Sequence, residues 1–88
     1  MDKEKSVQKI ISIAKSYGAK KLILFGSAKD NIENARDIDL ACEGVAGWKL
    51  YELAAKLEME FGVPFDVVSL SPATRFTCHI EQQGRAIM

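Results

Sequence analysis

Residues 36–40 read Arg-Asp-Ile-Asp-Leu, and this short stretch decides how the rest of the chain is interpreted. It places Asp37 and Asp39 two residues apart in a segment that otherwise has the character of a strand. A third acid, Asp66, lies inside the apolar run Phe-Asp-Val-Val at residues 65–68. Acids are poor strand formers and are costly in apolar stretches, so three of them in two such runs need an explanation. A bound divalent metal ion is the simplest one.

The composition is that of a small globular protein without a charge bias. The chain has 88 residues, 48% hydrophobic and 27% charged, and we expect one domain spanning residues 1–88. Twelve basic and twelve acidic residues cancel, which argues against a free-standing nucleic-acid binder. We find no signal peptide and no run long enough to cross a membrane. A cytoplasmic location is therefore expected, with Cys42 and Cys78 as reduced thiols and a disulfide as the less favoured alternative.

Periodicity and turn residues predict an alternation of helices and strands. The predicted elements, in chain order, are a helix over 4–17, a strand over 21–26, a polar loop over 27–36, a strand over 37–42, a helix over 47–61, a strand over 64–70, and a short helix from Ser71-Pro72 to about Gln83. Residues 85–88 form either a short edge strand or a tail.

The lengths of the connections indicate how the strands pair. The first two strands are joined by a loop without a helix, which favours an antiparallel pair, whereas a helix joins the second and third strands, which favours a parallel right-handed crossover. Asp37, Asp39 and Asp66 then converge on one edge and one face, with Gly26 and Ser27 beside them. The predicted fold class is α/β, a small mixed sheet of three or four strands with helices on the other face.

The convergence of three acids restricts the chemistry. Two carboxylates about 4 Å apart repel by roughly 4 kcal/mol at an effective dielectric constant of about 20. The acids therefore splay into water, or one is protonated, or a cation lies between them. Carboxylate oxygens suit Mg²⁺ or Mn²⁺, and the cysteines match no zinc spacing. The Gly26-Ser27 turn offers close backbone approach and donors for phosphate oxygens, and the combination indicates phosphate transfer from a nucleoside triphosphate.

The motif Leu-Phe-Gly-Ser, a short loop, Asp-Ile-Asp-Leu and a strand with a third Asp resembles the nucleotidyltransferase superfamily of DNA polymerase beta. At this length the chain is similar to the minimal nucleotidyltransferases (MNT) of prokaryotic toxin–antitoxin pairs. The resemblance implies a polymerase beta palm-like fold in which Gly26 and Ser27 hold the β- and γ-phosphates. It implies that Asp37 and Asp39 bind two Mg²⁺ ions, and that Asp66 completes one metal site and helps to deprotonate the attacking hydroxyl. The implied reaction is transfer of AMP from ATP to a helical toxin of the HEPN type.

The loop after the Gly-Ser turn departs from the family pattern and keeps a second hypothesis open. Family members usually carry an arginine there, whereas residues 28–31 read Ala-Lys-Asp-Asn. Lys29 can supply part of the missing positive charge to the phosphates but offers no bidentate fork. The alternative function is therefore an antitoxin or binding module that has lost catalysis and acts on its partner by contact alone. The sequence leaves a homo-oligomer possible and fixes neither the base nor the acceptor.

Overall fold

The computed structural model describes residues 3–88. The helices and strands of this part are, in chain order, α1 (Lys3–Ser16), β1 (Lys21–Phe25), β2 (Ile38–Glu43), α2 (Leu50–Phe61), β3 (Phe65–Ser69), α3 (Arg75–Gln83) and β4 (Arg85–Ala86). Short 3₁₀ turns cover Gly26–Lys29, Ile32–Asn34 and Gly47–Lys49. None of the helices found between residues 3 and 88 has the length and apolar character needed to cross a lipid bilayer.

The strands form one mixed sheet in the order β3-β2-β1-β4. β2 is antiparallel to β1, with Phe25 opposite Asp39, and parallel to β3, with Asp39 opposite Asp66. Both pairings and the α/β fold class are confirmed, because the connection of β1 to β2 contains only turns while α2 carries the chain across to β3. The end of the chain adds β4 as an edge strand antiparallel to β1, which resolves the open alternative between strand and tail.

One face of the sheet carries the main core. Alternate residues of β1 and β2 point to α1 and α2, as the period of two in a strand requires. The fully buried members of this core include Ile10, Leu22, Leu24, Leu40, Leu53 and Leu57. These side chains anchor the strands whose opposite face carries the acids.

The third helix lies on the other face of the sheet, which differs from the predicted placement of the helices. Ile80 of α3 packs with Ile23 and Ala41, residues that alternate with the main core along β1 and β2. The reason is visible in β1, whose run Leu-Ile-Leu-Phe is apolar at every position and is therefore covered on both faces. α1 and α2 cover the face that was predicted, and α3 leaves the start of β2 open.

The third helix also begins later than predicted. Ser71 and Pro72 precede the helix, and Thr74 is its N-terminal cap. The Thr74 hydroxyl accepts a hydrogen bond from the Thr77 N–H at 3.1 Å, and the Thr77 hydroxyl accepts one from the Thr74 N–H at 2.7 Å. This reciprocal capping box satisfies two backbone donors. The helix therefore begins after Thr74 and not after Ser71. Gly84 ends the helix as predicted.

Candidate functional site

Three aspartates lie at one end of the sheet. Asp39 and Asp66 are register partners on the parallel strands β2 and β3. Register partners on neighbouring strands project to the same face, with backbones about 4.8 Å apart. Asp37 lies one residue ahead of β2 and two before Asp39, close enough for its charge to act on Asp39. The expected placement of Asp66 on the same face as its companions is therefore observed, opposite the core formed with α1 and α2.

The electrostatics of this group are unfavourable without a cation. Partial burial raises the pKa of Asp39, and the charges of Asp37 and Asp66 raise this pKa further. Among the side chains that the structure describes, none makes an ion pair or hydrogen bond with these three carboxylates. A positive charge placed among them would relieve both the repulsion and part of the desolvation.

The carboxylates share a face but are not already gathered around one point. No three His, Cys, Asp or Glu side chains within the described residues are close enough together to hold an ion as they stand. Asp37 and Asp66 are exposed, so their side chains are able to rotate. Because the three carboxylates repel one another, their oxygens approach a common point only when a cation binds between them. The donor set is made of hard carboxylate oxygens, which fits Mg²⁺ or Mn²⁺. Metal binding by these residues stays a prediction.

Gly26 brings the backbone against the carboxylate of Asp39. It follows Phe25, the register partner of Asp39, and adopts a φ of +66°. A Cβ atom at residue 26 would lie 2.3 Å from Oδ2 of Asp39, which is closer than van der Waals contact allows. The backbone conformation therefore favours glycine, and a side chain here would also displace the carboxylate of Asp39. The turn predicted to bind phosphate thus adjoins the acid group directly.

The rest of the turn places a positively charged side chain, that of Lys29, at the same end of the sheet. Residues Gly26–Lys29 form a 3₁₀ turn that is anchored by the buried Ala28. Lys29 is half-buried, and its ammonium has no partner among the described side chains. The side chain of Ser27 lies outside the described part of the structure, so its predicted contact with phosphate stays a prediction.

Cys42 is not a candidate nucleophile or metal ligand for this site. Cys42 and Cys78 are both free thiols. Cys42 points into the core shared with α1 and α2, where burial raises its pKa to about 11. A thiol with such a pKa is protonated at neutral pH and is a poor nucleophile or metal ligand.

Comparison with known families agrees with the α/β fold described above. The family described as "Polymerase beta, Nucleotidyltransferase" matches residues 8–88. The chain belongs to this family. No curated protein sequence matches the chain closely enough to count as a relative.

Solved structures place this nucleotidyltransferase chain near the minimal antitoxin type. A toxin–antitoxin complex with AMP-PNP contains a chain that is 26% identical, with a TM-score of 0.78, and the match covers 93% of this chain and 72% of that one. The complex of a tri-AMPylated Shewanella oneidensis HEPN toxin with its MNT antitoxin contains a chain that is 25% identical, with a TM-score of 0.77. This second match covers 97% of this chain and 71% of that one.

Sequence reasoning gave α3 no part in the site of this nucleotidyltransferase, and the structure places it next to the turn. Phe76, His79 and Gln83 lie on one side of α3 and line a pocket with Gly26 and Lys29. Their spacing of three and four residues is that of one helix face. The signal was thus present in the sequence, but only the unexpected position of α3 on the acid-bearing face gives it meaning.

Proposed function

We propose that this chain transfers AMP from ATP to an acceptor hydroxyl on a helical partner of the HEPN type. The observation that carries the proposal is the register of Asp39 with Asp66 on one face, directly beside the close approach of Gly26. Membership of the nucleotidyltransferase family supports the reaction class. The AMPylated HEPN toxin in one structural neighbour, and AMP-PNP in another, support the nucleotide and the partner.

In this proposal the turn binds the nucleotide. The backbone of Gly26 and Ser27 takes the β- and γ-phosphates, because a glycine with positive φ allows a phosphate to approach backbone donors closely. The ammonium of Lys29, which has no partner among the described side chains, adds positive charge at the same place. These groups hold the triphosphate so that the α-phosphate lies at the acid-bearing end of β2.

The three aspartates are the proposed ligands for Mg²⁺ or Mn²⁺. A divalent cation, when bound, would stabilise the charges that develop on the attacking and leaving oxygens. Asp37, one residue ahead of β2, and Asp39 on β2 would hold it together with Asp66 on β3. The cation would offset the burial that raises the pKa of Asp39 and the repulsion from Asp37 and Asp66 that raises this pKa further.

The proposed reaction is an in-line displacement. The acceptor oxygen forms a bond to the α-phosphorus, the bond from that phosphorus to the bridging oxygen breaks, and pyrophosphate leaves with the electron pair. Asp66 accepts the proton of the acceptor hydroxyl. It is exposed on the face opposite the core formed with α1 and α2, so a hydroxyl carried by a partner protein can reach its carboxylate from solvent on that face.

Intact-mass analysis tests this function. The chain is incubated with ATP, Mg²⁺ and a candidate HEPN-type partner, and the partner is expected to gain the mass of one or more AMP groups. The double variant Asp37→Asn with Asp39→Asn is expected to abolish the gain and keep the fold. Glu33→Gln removes an exposed acid elsewhere and is the matched control. Full transfer by the double variant would reject the assigned residues.

Residues 28–31 support the second candidate function, inhibition of a partner by contact alone. They contain no arginine, and the exposed Asp30 adds negative charge beside Lys29. Titration calorimetry with ATP and Mg²⁺ separates the two functions. Heat that disappears when EDTA is added supports the enzyme, whereas no heat at millimolar nucleotide, combined with tight binding to the partner, supports the contact inhibitor.

A further inference from the structure

A pocket of about 380 Å³ lies between the Gly26–Lys29 turn and α3. Its walls include Phe25, Gly26, Lys29, Phe76, His79 and Gln83. The volume falls within the range of small-molecule sites, about 300–1,000 Å³. Because Gly26 contacts the carboxylate of Asp39 and also lines this pocket, the pocket and the acid group are neighbours across a single residue.

The pocket has an aromatic wall with uncovered surface. The rings of Phe25 and Phe76 meet edge to face, with centroids 6.0 Å apart and an interplanar angle of 84°. This contact leaves much of Phe76 uncovered, and the residue is 55% exposed. A large apolar side chain in this state, on the wall of a pocket, is suited to stack against a flat aromatic ligand.

The same pocket offers polar groups that are available to a ligand. Neither the His79 ring nor the Gln83 amide makes a hydrogen bond or ion pair with the side chains that the structure describes. A glutamine amide presents a donor and an acceptor side by side. That pair matches the N6 and N7 edge of adenine, the base to which glutamine pairs with two hydrogen bonds.

Contacts between α3 and β1 fix the position of α3. A Cβ atom at Gly84 would lie 2.4 Å from Cγ2 of Ile23, so the absence of a side chain lets the end of α3 pack closely on β1. Glu81 on α3 also pairs with Lys21 on β1 at 2.8 Å. The pocket wall is therefore held in place before any ligand arrives.

We propose that this pocket holds the nucleobase of the triphosphate, with Phe76 stacked on the base and Gln83 reading the edge of adenine. The inference rests on the proposed function, which places the phosphates on the turn at Gly26 and Lys29. Because those two residues also line the pocket, a nucleotide whose phosphates lie on the turn has its base within reach of α3. The acceptor, in contrast, approaches from the exposed side of Asp66 on β3.

Calorimetry with two ligands tests the base site. Mg·ATP and Mg·tripolyphosphate are titrated into the wild-type chain and into Phe76→Ala. The variant is expected to bind ATP about tenfold more weakly, the typical cost of losing one stacked base, and to bind tripolyphosphate as the wild type does. Trp48→Ala removes an aromatic residue that is 69% exposed and lies outside the pocket, and it is the matched control.

A second variant addresses the choice of base and protects the test against misfolding. Gln83→Ala is expected to reduce the preference for ATP over GTP while leaving tripolyphosphate binding unchanged, and circular dichroism checks that both variants fold. Unchanged ATP affinity in Phe76→Ala together with unchanged base preference in Gln83→Ala would overturn the base site and leave the proposed function standing. If the wild type binds neither ligand, the proposed function fails, and the base site fails with it.

Discussion

The two faces of β2 carry neighbouring residues with opposite surroundings. Leu40 is fully buried against the core formed with α1 and α2. Asp39, one residue earlier, points to the other face, where it meets two further carboxylates and the backbone of Gly26. One face is closed by apolar packing, whereas the other is left open at the start of β2 because α3 covers only part of it.

Residues that stabilise the fold and residues of the proposed ligand site thus alternate along the same strands. Packing on the core face fixes the backbone, and the fixed backbone then holds groups that would not stay together unaided. Substitutions on the core face should therefore change the free energy of unfolding. Substitutions on the acid-bearing face should change ligand binding and leave most of the stability intact.

Leu40→Ala should have the largest effect on stability. Removing a fully buried leucine loses burial and leaves a cavity, so we expect the free energy of unfolding to fall by about 2–5 kcal/mol. Urea denaturation followed by circular dichroism measures it. A loss below about 1 kcal/mol would mean that this face is not a tightly packed core.

Gly26→Ala tests the boundary between the two faces. A non-glycine residue with positive φ costs about 1–2 kcal/mol, and the new Cβ would also displace the carboxylate of Asp39. We expect that loss of stability together with weaker Mg·ATP binding. Gly47→Ala is the matched control, since no atom lies within 4 Å of a Cβ at that position. Equal behaviour of the two variants would contradict the close approach at Gly26.

Thr74→Ala tests whether the position of α3 matters to the acid-bearing face. Loss of the capping side chain should destabilise the chain by about 1 kcal/mol and fray the start of α3 next to Phe76. Thermal unfolding measures the first effect and ATP titration the second. Thr74→Ser keeps the hydroxyl and should behave as the wild type. If Thr74→Ser loses as much stability as Thr74→Ala, the hydroxyl is not the cap.

Asp39→Asn should have the smallest effect on stability, and the size of this effect should depend on pH. The pKa of Asp39 is raised in the folded chain, by burial first and then by Asp37 and Asp66. The folded chain therefore binds the proton more tightly than the unfolded chain does, and stability is lost as the pH rises through the raised pKa. With EDTA present, the free energy of unfolding of the variant should increase relative to that of the wild type as the pH rises from about 4 to neutral. If urea titrations give the same difference in unfolding free energy between variant and wild type at every pH, the raised pKa of Asp39 is contradicted.

Local patterns were sufficient to predict most of the fold. The apolar run within residues 21–26 and the strand-like segment around Asp37 and Asp39 predicted two of the strands, and the lengths of the connections predicted the pairings and the fold class. The placement of the three aspartates on one face followed from the pairings, because register fixes the face of every residue in a strand. The family match confirms the resemblance that these residues suggested.

Features that depend on distant contacts were missed or left open. The start of α3 is decided by the reciprocal bonds of Thr74 and Thr77, which compete with the signal at Ser71-Pro72. The side of the sheet that α3 covers is decided by the burial of Ile23 and Ala41 against it. These two residues lie on β1 and β2, far from α3 in the sequence. The pocket beside Phe76 exists only because of that placement, so local patterns alone do not reveal it.

Paramagnetic broadening by Mn²⁺ is the direct test of the proposed cation site, since this ion takes the oxygen ligands that suit Mg²⁺. At low Mn²⁺ in the wild-type chain, the amide resonances around Asp39, Asp66 and Gly26 should broaden before those of α1, and the double variant Asp37→Asn with Asp39→Asn should lose this selectivity. Broadening that begins elsewhere, or that is identical in the double variant, would contradict a cation site on the acid-bearing face.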